Sequence, residues 1–318
     1  MPAARERVEQ RLLEAAQTGD PALTEMASHL IKAGGKRVRP LFTLAAAATA
    51  GGGADLANNG DALTGGVAVE LVHLGSLYHD DVIDEATTRR TVESVNARWG
   101  NLRAILAGDF LLARASELAA TLGTEVAILL AATIGRLCEG EVRELQHVYR
   151  LDRTETDYFD AIEGKTAALF STACRIGGIV AGLPAVHLEA LSDFGLHYGT
   201  AFQVVDDVLD IVATDDELGK PAGHDLAEGV YNLPVLRALE GAEGADLRVL
   251  LGHPIEAEAQ RQALAVVRSG SAIGESTDAA ETYVKRAVEA LAPLPPSPAT
   301  RALAGAAEHL LSGLEGRI

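Results

Sequence analysis

Two short blocks carry the plainest chemistry in this 318-residue chain: Asp80-Asp81-Val82-Ile83-Asp84 and Asp206-Asp207-Val208-Leu209-Asp210. Each reads Asp-Asp-x-x-Asp at the end of an apolar run. On a helix the first and last Asp of a block are i and i+4 and share a face. The middle Asp lies about 100° around the axis, close enough to flank the same metal ion. Carboxylates packed this way repel one another, and one such block alone would read equally well as a solvated acidic patch. Two blocks in matching contexts point instead to metal binding. Carboxylate oxygens suit Mg²⁺, which keeps several waters and takes one or two carboxylates plus substrate phosphates. Two facing blocks would clamp a diphosphate through bridging ions.

Basic residues stand where such an anion needs them. Gly34-Gly35-Lys36-Arg37-Val38-Arg39-Pro40 is a compact basic cluster after a helix, and Lys and Arg meet phosphate oxygens well. Arg89-Arg90 follow the first acidic block; pairing with Asp84 or Glu85 is their plainer use. Lys165-Thr166 open an apolar helix, and a helix N-terminus favours anions. Lys220 lies in a Gly/Pro-rich loop after the second block, of the kind that folds over a ligand.

The elements that must position these groups are helical. Period-3.6 patterns dominate, with no convincing period-2 run. Helices are expected over about 5–17, 21–33, 39–50, 58–82, 92–99, 101–122, 125–146, 155–164, 166–181, 185–213, 233–240, 255–269, 275–291 and 297–314. Aromatics are only 4%, which argues against a β-sandwich or barrel. No break between helices is long enough for a flexible interdomain linker. The expected architecture is all-α: one domain over residues 1–318, built on a helix bundle with a central active-site cavity.

The net charge of −18 excludes the basic footprint of a nucleic-acid binder. An acidic protein that binds an anion needs metal ions to supply the attraction. Cys138 and Cys174 each sit in an apolar-periodic stretch and read as two buried, reduced thiols, which fits a cytoplasmic location. The N-terminus lacks a signal peptide's apolar core, and the most apolar stretch, 41–50, is too short to span a bilayer. No Ser/His/Asp arrangement has a coherent local context, and the histidines lack zinc-like spacing.

Taken in order, the motifs closely resemble the trans-isoprenyl diphosphate synthases, or polyprenyl synthetases. The matching residues are Gly34 to Pro40; His73, seven before the first block; Asp80-Asp81-x-x-Asp84 with Arg89-Arg90; Asn101 to Leu112 with Ala107-Gly108-Asp109; Lys165-Thr166; Gln203 with Asp206-Asp207-x-x-Asp210; and Gly219-Lys220-Pro221 with Asp225-Leu226. The resemblance covers nearly the whole chain. It implies the isoprenoid-synthase helical fold and a head-to-tail condensation of isopentenyl diphosphate with an allylic diphosphate. It also implies that Asp80, Asp81, Asp84, Asp206, Asp207 and Asp210 hold Mg²⁺, and that Arg89, Lys165 and Lys220 contact the allylic diphosphate. Lys36, Arg39, His73 and Arg90 would bind isopentenyl diphosphate, with Arg37 a helper, and Thr166 and Gln203 would face the allylic cation. The family is usually homodimeric. One position departs: Val230 follows Gly229 where the family often has Lys, which removes one expected diphosphate contact.

Product length turns on the residues one turn below Asp80. In this family bulky aromatics there stop growth early. Gly75 and Ser76 would leave the floor of the tail cavity open, with Val72, Val69, Leu106 and Phe110 as deeper candidate stops. The expectation is a long product, roughly C30 to C50, with C20 to C25 as the alternative, the tail lying in an apolar cavity. Other classes weighed are a class I terpene cyclase, a non-catalytic partner subunit and a structural helical scaffold. The intact acidic blocks argue against the last two, and the cluster at Lys36–Arg39 against the first.

Overall fold

Helix-starting chemistry is explicit at several points. Asp20 accepts from the backbone N–H groups of Ala22 and Leu23 at 2.8 and 3.0 Å, with Pro21 at the first helical position. Thr154 and Asp157 cap each other reciprocally at the start of a later helix. The computed structural model describes residues 2–51, 60–213, 223–242 and 244–314.

Among those residues the helices are α1 (Pro2–Ala15), α2 (Pro21–Lys32), α3 (Val38–Ala48), α4 (Gly60–Ile83), α5 (Val95–Trp99), α6 (Asn101–Thr121), α7 (Thr124–Gln146), α8 (Glu155–Ile162), α9 (Ala168–Val180) and α10 (Ala185–Val212). After them come α11 (His224–Ala227), α12 (Leu233–Glu240), α13 (Gly244–Leu250), α14 (Ala257–Ser269), α15 (Ala272–Ala290) and α16 (Pro298–Glu308). The fold is all-α, as expected.

The helices α11 and α13 have no counterpart in the sequence reading, and two further details differ. A helix was expected from Val92, but Thr88–Arg89 and Val92–Glu93 form a two-stranded antiparallel hairpin, and the helix starts at Val95 behind a Ser94 cap. Four paired residues are too few to show alternation. The sequence reading expects two separate helices over 155–164 and 166–181. They are one helical run in which Glu163–Ala167 form a π turn between α8 and α9.

The contacts divide the chain into two compact units. The first comprises Met1–Ile134, Leu169–Ser192 and Pro293–Leu303; the second comprises Gly135–Ala168, Asp193–Ala292 and Ala304–Ile318. α7, α9 and α10 contribute residues to both. In the first unit α4 is buried along most of its length, from Ala62 to Tyr78, and packs against α3 and α6. The face of α6 that meets it is small: Ala104, Ala107, Gly108, Ala115 and Ala119, with Leu111. In the second unit the core gathers Tyr158, Val204, Val208, Ile211, Leu226, Tyr231, Leu233, Leu236, Leu247 and Val267.

Candidate active site

The first unit carries the basic cluster and the first acidic block. The loop before α3 takes an unusual path: φ is +89° at Gly34, +148° at Gly35 and +52° at Arg37. Arg37 pays for that conformation with four bonds: to Glu9 Oε1 and Oε2 at 2.8 and 3.0 Å, Glu70 Oε1 at 3.0 Å and the Ile31 carbonyl at 2.9 Å. Its guanidinium is buried and paired with Glu9 and Glu70, so in this structure Arg37 holds the loop. A Cβ at Gly35 would lie 3.0 Å from the Arg90 guanidinium and 3.1 Å from that of Arg37; only glycine leaves room for both.

Arg90 sits at the hairpin turn with φ +52° and donates to the carbonyls of Leu30, at 3.1 Å, and Gly34. The hairpin is thereby tied to the loop. Arg39, in the first turn of α3, lies 4.3 Å over the Phe170 ring. Lys36 is exposed at the loop's edge. His73 on α4 has its pKa held well below the usual histidine value, first by burial and then by the charges of Arg39, Arg90, Arg37 and Arg89. One neutral imidazole in the field of four guanidinium groups marks a place built for anionic charge. The structure thus brings together Arg39, His73, Arg89 and Arg90, four of the residues singled out from sequence.

At the first acidic block the three carboxylates are not equivalent. Asp84 is exposed and Asp80 half-buried. Asp81 is fully buried, and its Oδ1 accepts from Arg89 Nε at 2.7 Å. Burial raises the Asp81 pKa, and Arg89 and then Arg90 offset that. The middle carboxylate therefore anchors Arg89, which pairs neither with Asp84 nor with Glu85 as first weighed.

The second block, in the second unit, repeats the pattern with different partners. Asp206 is exposed, while Asp207 is 4% exposed. Asp207 Oδ2 accepts from the Tyr158 hydroxyl at 2.5 Å, and Oδ1 from Gln203 Nε2 at 2.8 Å. Thr166 Oγ1 donates to Gln203 Oε1 at 2.8 Å. Thr166, Gln203, Asp207 and Tyr158 form one hydrogen-bonded chain. Burial, reinforced by Asp225, raises the Asp207 pKa, and the hydrogen bonds from Tyr158 and Gln203 act the other way. Asp210 is buried; the backbone N–H of Gly223 donates to its carbonyl at 2.8 Å.

Lys165 belongs to the π turn. Its Nζ meets Glu144 Oε1 at 2.5 Å and Glu141 Oε2 at 2.8 Å on α7. These two acids outweigh burial and raise its pKa. The turn is pressed onto α7 through glycine: a Cβ at Gly140 would lie 2.4 Å from the Lys165 backbone nitrogen, and one at Gly164 2.9 Å from the Arg136 carbonyl. Sequence reasoning missed Gly140, Glu141, Glu144 and Tyr158. The spacing of Glu141 and Glu144 was a usable signal; Tyr158 had none, since its role exists only through Asp207.

Three expectations need correction. Gly75 does not open a cavity floor. It is buried where α4 crosses α6, and a Cβ there would meet the Gly108 carbonyl at 3.1 Å and Leu112 at 3.2 Å. Ser76 is half-buried, and its hydroxyl donates to the His73 carbonyl at 2.9 Å. Leu106 is 55% exposed, on the outward face of α6, and stops nothing inside; Val69 and Val72 are fully buried in α4. Cys138 is exposed, while Cys174 is buried as expected. Lys220 lies outside the described residues.

Among the described residues no group of three or more carboxylates, imidazoles or thiols closes around a metal on its own. The exposed and half-buried carboxylates, as hard oxygen donors, fit Mg²⁺.

These features describe an all-α protein that carries one Asp-Asp-x-x-Asp block in each of its two units. The family model for polyprenyl synthetase matches residues 20–267. The chain is 41% identical over 310 residues to nonaprenyl diphosphate synthase of Mycobacterium tuberculosis, covering 96% of this chain and 91% of that one. It is 38% identical over 289 residues to heptaprenyl diphosphate synthase component 2 of Geobacillus stearothermophilus, covering 91% and 89%. A crystal structure of a polyprenyl synthase from Caulobacter crescentus, complexed with calcium and isoprenyl diphosphate, superposes with TM-score 0.90 at 34% identity, covering 98% of this chain and 95% of that one. The chain belongs to the polyprenyl synthetase family and is a prenyltransferase.

Proposed function

We propose that this chain is a Mg²⁺-dependent synthase of long all-trans polyprenyl diphosphates, of roughly C30 to C50, whose tails grow in an apolar cavity. The observation that carries the metal reading is the shared design of the two acidic blocks. In each, the middle carboxylate is buried and pinned, by Arg89 in one and by Tyr158 and Gln203 in the other. Asp84 and Asp206 are exposed, where a hydrated ion can reach them. In this reading each block holds Mg²⁺ with its own carboxylates: Asp80, Asp81 and Asp84 in the first, and Asp206, Asp207 and Asp210 in the second. Calcium in the Caulobacter complex supports a divalent ion. Relatives named for nonaprenyl and heptaprenyl products support the long product, with C20 to C25 as the alternative.

The reaction breaks the C1–O bond of the allylic diphosphate, and the electron pair leaves with the diphosphate. Arg89, Lys165 and Lys220 meet that leaving group, each stabilising charge as it develops. Mg²⁺ held by the acidic blocks would add positive charge to stabilise the departing diphosphate. Thr166 and Gln203 present oxygen atoms to the allylic cation. Lys36, Arg39, His73 and Arg90 hold the diphosphate of isopentenyl diphosphate. Its double bond attacks C1, and the released diphosphate takes the proton lost from the adduct. Lys165 must exchange Glu141 and Glu144 for the substrate anion, so those two acids hold it ready in the ligand-free state.

The whole chain serves as one synthase domain, consistent with relatives that align over more than nine tenths of it. We place it in the cytoplasm, as a homodimer; no described helix is long and apolar enough to cross a membrane. The test is incubation with Mg²⁺, labelled isopentenyl diphosphate and, separately, C5, C10, C15 and C20 allylic diphosphates, with products sized. Elongation abolished by EDTA supports the reading, and the longest product fixes the length class. No elongation from any starter turns the reading to a non-catalytic subunit, with Val230→Lys the first reversion to make.

A further inference from the structure

Arg153 is a charge that the scheme above does not use. It lies between α7 and α8 in the second unit and is 5% exposed. Its Nη1 donates to the Tyr231 carbonyl at 3.0 Å. Its Nε and Nη2 are buried and have no acceptor among the described residues. A guanidinium is normally buried only when paired or fully hydrogen-bonded. A hydrocarbon side chain would fill this place without stranding two N–H groups. What the position uses is therefore the charge.

That charge faces Tyr158. The guanidinium carbon stands 5.6 Å from the centre of the Tyr158 ring, within cation–π range. Tyr158 is buried, and its hydroxyl donates to Asp207 Oδ2 at 2.5 Å. The other hydrogen bond to Asp207 is also from a neutral donor, Gln203. Cation, phenol and carboxylate thus stand in series. A cation over the ring draws electron density from the phenol oxygen and strengthens its O–H as a donor. Burial lowers the Arg153 pKa, while Glu144, Tyr158, Asp207 and Asp157 act the other way; its counter-charge is distributed and none of it is in direct contact.

We propose that Arg153 is a positioning residue for the second acidic block: through the Tyr158 ring it secures the Tyr158–Asp207 hydrogen bond. This fixes the turn of α10 that presents Asp206 and Asp210. The proposal rests on the metal reading of that block. With the bond weakened, the Asp207 carboxylate leaves its buried place and adds its charge beside Asp206.

The test is Mn²⁺ binding to the full chain in the presence of inorganic diphosphate, read by electron paramagnetic resonance of the free ion. Thermal melting and elongation kinetics are followed alongside, for wild type, R153K, R153M, Y158F and R153M/Y158F. R153M and Y158F should each weaken Mn²⁺ binding about tenfold. R153K should stay within about threefold of wild type, because it keeps the charge. The double variant should bind no more weakly than Y158F, because the relay is already cut. Half-saturating isopentenyl diphosphate should not move, since its proposed ligands lie in the first unit. Wild-type Mn²⁺ affinity in R153M, or losses that add in the double variant, would overturn the proposal. Should R153M not fold, Y158F decides: wild-type affinity there overturns the relay equally. A wild-type chain that neither binds Mn²⁺ nor elongates sinks the metal reading itself, a result separable from the variant comparison.

Discussion

At the residue scale the two acidic blocks divide their labour. Asp81 is buried against Arg89, so removing it strands a half-buried guanidinium. Asp81→Ala is expected to cost about 1–3 kcal/mol of stability, the penalty for an unsatisfied buried partner. Asp84 is exposed, so Asp84→Ala should stay within about 0.5 kcal/mol in stability while losing elongation. Urea melts of the two variants beside their activities check this; equal stability losses would remove the distinction. The sequence could not separate them, because both are Asp in one motif. What differs is the neighbour: Asp81 meets Arg89 of the hairpin, a contact that no local pattern encodes. His73 carries a second expectation. Burial and four arginines depress its pKa in the folded chain, so the unfolded chain binds a proton that the folded one refuses. Its contribution to stability is fully present above the unfolded pKa, about 6.5, and is lost progressively as pH falls from there towards the depressed folded pKa. His73→Gln should flatten the decline in stability between about pH 6.5 and 5, measured by urea melts without ligand. An unchanged pH slope would show that the histidine is not held neutral. Ser76 keeps its place one turn from Asp80, and Ser76→Phe should shorten the product; an unchanged product spectrum would remove Ser76 as a length determinant.

At the element scale the long helices were legible, because their apolar period and caps are local properties, while the short α11 and α13 span too few turns to show a period. The hairpin and the π turn were not. The hairpin is held by Arg90 reaching back to Leu30 and Gly34, a contact across about 60 residues that leaves no trace in local composition. The π turn looked like a break between two helices, because Gly164 reads as a helix terminator. Its glycine instead answers to Gly140 on α7, where backbone meets backbone. π turns often mark functional positions, and this one carries Lys165 and Thr166. Gly140→Ala would place a methyl group 2.4 Å from the Lys165 nitrogen and 2.8 Å from the Ala161 carbonyl. Neither is a side chain that can swing away. The expected cost is about 1–3 kcal/mol of overpacking, with elongation falling further than stability because Lys165 is displaced. Melting and steady-state kinetics on that variant test it; a variant with wild-type stability and rate would mean that the crossing yields without moving the lysine. The crossing of Gly75 and Gly108 shows the same limit from the other side. A glycine that looked like open space is a close approach between helices.

At the scale of the whole molecule the chain carries −18 net charge, yet it leaves apolar surface uncovered. On α6, Leu102, Ile105 and Leu106 are 72%, 41% and 55% exposed, at the i, i+3, i+4 spacing of a single helix face. Single exposed apolar side chains need no explanation, but a contiguous stripe marks an interaction surface. The opposite face of the same helix is buried on α4, so the stripe is not a core face turned the wrong way. A second copy would offer the same stripe, and a two-fold contact pairs it with itself. The stripe is the surface on which the proposed homodimer can be tested. L102D/L106D puts two carboxylates on a helix that should already be excluded from water in the assembly. Light scattering coupled to size exclusion should give a two-chain mass for wild type and a one-chain mass for the variant, with helicity unchanged by circular dichroism. A one-chain mass for wild type at micromolar concentration would refute self-pairing and leave the stripe to a partner of different sequence. A two-chain mass for the variant would place the contact elsewhere on the surface.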